Sequence, residues 1–456
     1  MEFYGSIHNH SEYSNFRLRD SINKISDMVK YAVELKHNFI AITEHETIAS
    51  ALEAQKVEKE IRKEVPNFKV IRGNEIYLCR NGLNQDNFIK GEDRYFHFIL
   101  LAKDEIGHKQ IREISTRAWL RSYKGRGMVR VPTYYQDLID IIKKNQGHVI
   151  GSSACVGSML GQLLLKYKET NDKIYFEKAK KWIEQIAGIF GKENFFLETQ
   201  PSNSDEQVFV NDNIKILSEL TNFPVVISLD AHYLKKEDAP IHKAFLNSQD
   251  GDRETESFYA TTYLMSREEI HSYMDSHLGV ETVSKWLNNT KLIYDMCKDY
   301  DLTKPLRIPY LPRTVDNITY EQYEQFKDKI KNLHLFYNST FDSDKHLVAT
   351  IVTKLLQDPE QYCNEETYKE IDLNLNVIWL SSEKQNTRWS AYLLNMRDYI
   401  DVIWNEGDSL VGVSRGSGGG FILLNILGIT QINPLKEKTR TFYWRFLNPE
   451  RVSPLD

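Results

Sequence analysis

The chain has only four cysteines in 456 residues, Cys79, Cys155, Cys297 and Cys363, and none forms a CxxC pair or a disulfide framework. That spacing excludes a cysteine-stapled secreted scaffold and fits a reducing compartment. No apolar run approaches the 18 residues a membrane helix needs, and the N-terminus carries no charged-then-apolar leader. A soluble, cytoplasmic protein with no membrane partner is expected. Nor is the chain basic. A net charge of −6 removes any general affinity for nucleic acid, so DNA contact would need a local patch such as "RSYKGRGMVRV" (121–131). There is no internal repeat and no low-complexity segment. What remains is ordinary globular composition, 41% hydrophobic and 27% charged, over a length suited to two or three domains.

The first 235 residues alternate β-rich runs with amphipathic stretches. The runs are "EFYGSIH" (2–8), "FIAIT" (39–43), "KVIRGNEIYL" (69–78), "FHFILLA" (96–102), "HVIGSS" (148–153), "NFFLET" (194–199) and "PVVISL" (224–229). The stretch at 20–37 predicts a helix, with Ile22, Ile25, Met28, Val29, Ala32 and Val33 on one stripe. Seven strands in this alternation predict a parallel sheet in an α/β fold, closed or nearly closed into a barrel, with an open doubly wound sheet as the alternative. Near residue 300, "LTKPLRIPYLPR" (302–313) is proline-rich and extended, a natural boundary; the reading divides the chain into 1–290 and 291–456.

Polar residues placed on these strands form a pattern. His8 and His10 end the first at i and i+2, His45 follows the second, Glu75 sits on the third and His97 on the fourth. Cys155 follows the fifth, while Asp230 and His232 follow the seventh, again at i and i+2. Taken singly, each has a bland reading: a buried thiol, a core histidine, a cap. Taken together, they lie where parallel α/β folds collect their ligands, at the carboxyl ends of strands. Imidazole, thiolate and carboxylate in one set suit zinc or another first-row metal, and so many donors imply more than one ion.

Further on, "SRGSGGGF" (414–421) precedes an apolar run and is neither a Walker loop nor a dinucleotide GxGxxG. It reads as a phosphate cradle or as a tight packing corner.

The segments "HNHSEYS", "TEH", "RGNEIY", "YFHFILLAKDEIG", "SSACVGSMLG", "FFLETQ" and "LDAHYLKKEDA" resemble the successive motifs of the polymerase-and-histidinol-phosphatase (PHP) family. More closely, they resemble the PHP domain that opens the alpha subunit of bacterial (C-family) DNA polymerase III. The resemblance implies a distorted seven-stranded barrel in which nine residues hold up to three ions, zinc or manganese. By motif these are His8, His10, Asp20, His45, Glu75, His97, Cys155, Asp230 and His232. Asp20 can equally be the N-cap of the helix that follows. Glu44 stands where the family usually has an aspartate.

"SLVGVSRGSGGGFILLNILGITQINPL" with "FYWRFLNPERVS", and earlier "YLLNMRDYI" (392–400) and "RIPYLP" (307–312), resemble the palm of the same subunits. That implies an α+β palm of polymerase-beta-like nucleotidyltransferase type, incomplete here. Gly416 and Ser417, with Arg415 beside them, would grip the incoming triphosphate. Asp456 would be the first of the carboxylates that hold magnesium for nucleotidyl transfer. Expected partners are primer-template DNA, deoxynucleoside triphosphates and a second polypeptide carrying the rest of the polymerase. Three functions follow: part of a replicative polymerase, a stand-alone metallophosphoesterase such as a 3′–5′ proofreading exonuclease, or a non-catalytic scaffold.

Overall fold

The computed structural model describes all residues except 1, 17–18, 91, 126–127, 249–258, 305–307, 312–316, 439 and 452–456. The chain divides into two compact units, Met1–Thr303 and Lys304–Asp456.

The first unit is built on seven strands: β1 (Gly5–Ser6), β2 (Phe39–Ile42), β3 (Lys69–Cys79), β4 (Phe96–Ala102), β5 (Val149–Ser152), β6 (Phe195–Thr199) and β7 (Val225–Ile227). They are hydrogen-bonded in that order. An isolated parallel bridge between Asn9 and Ala231, just beyond β1 and β7, brings the two edges together, so the sheet is nearly a closed barrel. Asn9 also ties this edge to β2, its amide donating to the Ala41 carbonyl at 2.8 Å and its N–H to Thr43 Oγ1 at 3.0 Å.

One strand departs from the expected parallel order. β4 runs antiparallel to both β3 and β5, with Tyr77 opposite His97 and Ile99 opposite Ser152. The connection from β3 to β4 contains no helix among its described residues. A direct return of this kind reverses a strand, whereas a parallel pair needs a helical crossover. The helix expected over 20–37 is Ile25–Glu34 with Lys24 at its N-cap, so residue 20 lies outside it.

Alternation along the strands separates two cores. Phe39, Ala41, Ile99, Ile150, Phe196 and Val226 plug the barrel interior. Their neighbours Ile40, Ile42, Phe98, Leu100, Phe195 and Ile227 face outward, into the layer shared with the helices. The same two-residue period carries the inward face up to the rim. Two residues beyond Ile150, Phe196 and Val226 come Ser152, Glu198 and Ser228, all buried and all polar. The barrel is therefore apolar below and polar at the carboxyl ends of its strands.

The second unit is helical among its described residues, with helices that include Asp342–Gln357, Glu365–Gln385 and Trp389–Asn405. Its core centres on Leu347, Ile351, Ile371, Leu375, Leu394 and Phe421. The β component of the expected α+β palm is not found among them. "SRGSGGGF" forms a 3-10 turn over Gly416–Gly420 followed by a short helix, Ile422–Ile426.

Candidate metal centre

All nine residues read as ligands meet at the polar rim of the barrel. His10, His45 and His232 form one group, His8, His10 and Asp230 a second, and Glu75, His97 and Cys155 a third. Within each group the candidate donor atoms lie within 4.8 Å of one another. Asp20 joins the first, its Oδ2 lying 2.8 Å from His45 Nε2 and 3.4 Å from His232 Nε2. Its carboxylate is committed to this rim rather than to the helix, and Tyr259 Oη donates to the other oxygen at 2.6 Å.

Local backbone explains how distant residues converge. His45 and Glu75 are joined by a parallel bridge that extends the β2–β3 pairing and sets their side chains together. Asp230 (φ 48°) and Ala154 (φ 59°), which precedes Cys155, adopt left-handed backbone that L-residues take up only under constraint. Ser158 caps the helix Met159–Thr170, and its N–H donates to the Cys155 carbonyl at 2.9 Å, fixing the turn that carries the thiol.

The rim is held by residues that sequence reasoning did not single out. Glu198 Oε1 accepts from His8 Nδ1 at 2.8 Å, and Ser152 and Ser228 hydroxyls donate to the same carboxylate. This leaves the His8 Nε2 lone pair facing Asp230 Oδ1 at 3.2 Å. Ser14 acts similarly on His10. Its hydroxyl donates to Glu44 Oε2 at 2.5 Å and so must accept from His10 Nδ1, 3.1 Å away. His10 Nε2 is again left with a lone pair, 3.1 Å from Asp230 Oδ1. Glu44, with its extra methylene, reaches back to Ser11 and Ser14 and orients the histidine. Alternation was the available signal for Glu198: it lies two residues past the inward-facing Phe196.

The electrostatics are set by burial and by the crowding of carboxylates and imidazoles at the rim. Burial and the neighbouring His45 and His232 rings push the His10 pKa down to about 3. Burial also opposes charge on His45, but the Glu75 and Asp20 carboxylates outweigh it and hold its pKa up to about 10. Burial and the Asp230 and Glu75 carboxylates push the Cys155 thiol well above its usual range.

The decisive test of fit is which polar atoms go unsatisfied. His8 Nε2, His10 Nε2 and Asp230 Oδ1 are buried with no hydrogen-bond partner among the described residues, while the Glu75 oxygens face His45 Nδ1 and His97 Nδ1 at 2.5 Å each. Buried polar atoms are rarely left so, and here they face one another with lone pairs. The donor set fits divalent cations, with the Nδ1 atoms of His8 and His10 tied back by Glu198 and Ser14, as ligating histidines require. A bound first-row metal would bring a coordinated water into the neutral pKa range and neutralise phosphoryl oxygens.

The other residues of interest lie elsewhere. Arg415 and Gly416 are exposed and Ser417 half-buried, in the second unit. Gly416 (φ +60°) lines a cavity of about 260 Å³. Asp456 lies outside the described residues. In the basic stretch at 121–131, Arg121 is engaged by Asp137 at 2.5 Å; Arg126 lies outside the described residues.

With this geometry established, residues 6–202 match the PHP domain family, and residues 345–456 match the bacterial DNA polymerase III alpha NTPase domain. The chain is thus a PHP domain joined to an alpha-subunit NTPase region, homologous to the N-terminal third of DNA polymerase III alpha subunits. Aligned relatives include a DNA-directed DNA polymerase of Bacillus phage SPbeta, 34% identical over 97% of this chain and 35% of that one. The DNA polymerase III alpha subunit of Borreliella burgdorferi is 28% identical over 99% and 34%, and that of Campylobacter jejuni 26% over 100% and 36%. The chain therefore spans about a third of the length of these relatives.

Proposed function

We propose that these 456 residues supply the N-terminal part of a replicative DNA polymerase whose barrel is a multinuclear metallophosphoesterase acting as a 3′–5′ proofreading exonuclease. The observation that carries the hydrolytic reading is the set of buried, unpartnered donor atoms on His8, His10 and Asp230. A scaffold would gain nothing from such atoms and would be more stable with apolar residues in their place. Zinc or manganese suits the donors, with up to three ions. In the polymerase reading, Arg415, Gly416 and Ser417 hold the triphosphate, and Asp456 contributes one magnesium carboxylate. The thumb, fingers and remaining carboxylates lie outside these residues. Homology to the alpha subunits over both matched regions supports it.

Two assays test the proposal. With zinc or manganese, the purified chain is expected to shorten a 3′-labelled primer, and His8→Ala to abolish that activity. An inactive wild-type chain that binds no metal by elemental analysis would favour the scaffold. Primer extension with and without the downstream polymerase polypeptide tests the other half. Failure of that polypeptide to restore synthesis counts against it.

A further inference from the structure

The helix Asp342–Gln357 carries two stripes. Leu347, Ile351 and Leu355 face the core of the second unit. His346, Thr350, Thr353, Lys354 and Gln357 recur at helical spacing on another face, and with Arg397 of the helix Trp389–Asn405 they line a cavity of about 180 Å³. A seam between two packed helices is ordinarily apolar. This one holds cationic and hydroxyl groups.

The Thr350 hydroxyl is spent on the His346 carbonyl at 2.9 Å, but the Arg397 and Lys354 donors are largely unspent. Arg397 Nη1 donates to Thr350 Oγ1 at 3.1 Å, and its Nη2 lies at 3.4 Å from Asp398 Oδ1, the limit of a hydrogen bond. Its Nε is buried with no partner among the described residues. Lys354 Nζ stands 3.8 Å from Asp358 Oδ2, beyond hydrogen-bond reach, and 5.9 Å over the Tyr362 ring. Asp358 and Asp398 are thus near enough to temper the local charge without using up the donors.

We propose that this groove is an oxyanion site that takes a single phosphoryl group. A guanidinium fork, an ammonium and the Thr353 hydroxyl in one small cavity match the unesterified oxygens of a phosphate. The cavity falls below the range of pockets that enclose whole drug-sized ligands, about 300–1,000 Å³. The group is therefore a phosphate on a larger molecule or a small free anion: a backbone phosphodiester or free pyrophosphate. The site lies in the second unit and stands independently of the hydrolytic reading of the barrel.

The test titrates the full chain, treated with chelator so that the barrel holds no metal to bind phosphate. Two probes are used: pyrophosphate and a single-stranded oligonucleotide. Lys354→Gln and Arg397→Gln are each expected to weaken binding about tenfold, the worth of one charge-assisted hydrogen bond. Loss confined to pyrophosphate identifies the free anion; loss against the oligonucleotide identifies the backbone. Wild-type affinity for both probes in Lys354→Gln overturns the proposal, and this half-exposed position allows that reading even if Arg397→Gln does not fold.

Discussion

Glu198 and His8 sit 190 positions apart in sequence and 2.8 Å apart in space, both wholly buried. The carboxylate takes the proton of His8 Nδ1 and so determines which nitrogen is left to bind a cation. Glu198→Ala would strand that N–H and two serine hydroxyls, and is expected to lower metal affinity by about 10–100-fold. Glu198→Gln, which retains an acceptor oxygen, should lose less. Competition against a fluorescent chelator measures both. Equal affinity in wild type and Glu198→Ala would remove His8 from the ligand set.

Gly157 lies against the His97 ring. A Cβ there would come 3.1 Å from two of its carbons, so the ring must tilt by a few tenths of an ångström. Gly157→Ala is expected to weaken the Glu75–His97–Cys155 group selectively. Metal stoichiometry by elemental analysis should fall by one ion of the set, with far-ultraviolet circular dichroism unchanged.

Metal should also stabilise the barrel, because cations bind the folded rim and not the unfolded chain. At a free concentration of 100 Kd this contributes about 2.7 kcal/mol, a rise of a few degrees in Tm that chelator reverses. His10 belongs to two of the three groups. His10→Ala should abolish most of the manganese-dependent rise in a thermal melt, and a full rise in that variant would contradict the arrangement.

A pH dependence follows from His37, which lies outside the rim. Its Nε2 donates to the Met265 carbonyl at 2.9 Å, while Nδ1 is buried without a partner among the described residues. Burial, with the Arg267 charge as a lesser cause, pushes its pKa down to about 4 from the ordinary 6.5. The unfolded chain therefore binds the proton first. Stability is fully present above about pH 6.5 and is lost as pH falls toward 4, by up to about 3 kcal/mol. In denaturant melts at pH 7 and 4.5, His37→Gln should show a smaller difference than wild type. An identical difference would mean that other groups set the acid sensitivity.

The seven strands were legible because each is a short apolar run bounded by polar segments, and each structural strand falls within or one residue beyond its run. Eight of the nine rim residues were legible because six of the seven strands carried a donor or were followed by one. The direction of β4 was not, since reversal depends on the shape of the connection rather than on residue pattern. Glu198 was missed because a lone carboxylate at a strand end reads as exposed until its neighbours, Ser152 and Ser228, are known to enclose it. Asp20 was ambiguous for a local reason: both of its readings place an acidic residue just before an amphipathic stripe. The donor-rich groove around Arg397 arises from two helices that bring Thr350 and Arg397 together across 47 positions, which no single-helix pattern shows.

The Asn9–Ala231 bridge has a consequence for biosynthesis. Synthesis proceeds from the N-terminus, so His8 and His10 leave the ribosome long before the strand that flanks them exists. Until residue 232 has emerged, the nascent barrel has an open seam and an incomplete ligand set. Cation loading of the complete site must then wait until residue 232 is out, making the vulnerable interval of this barrel one of timing rather than of final stability.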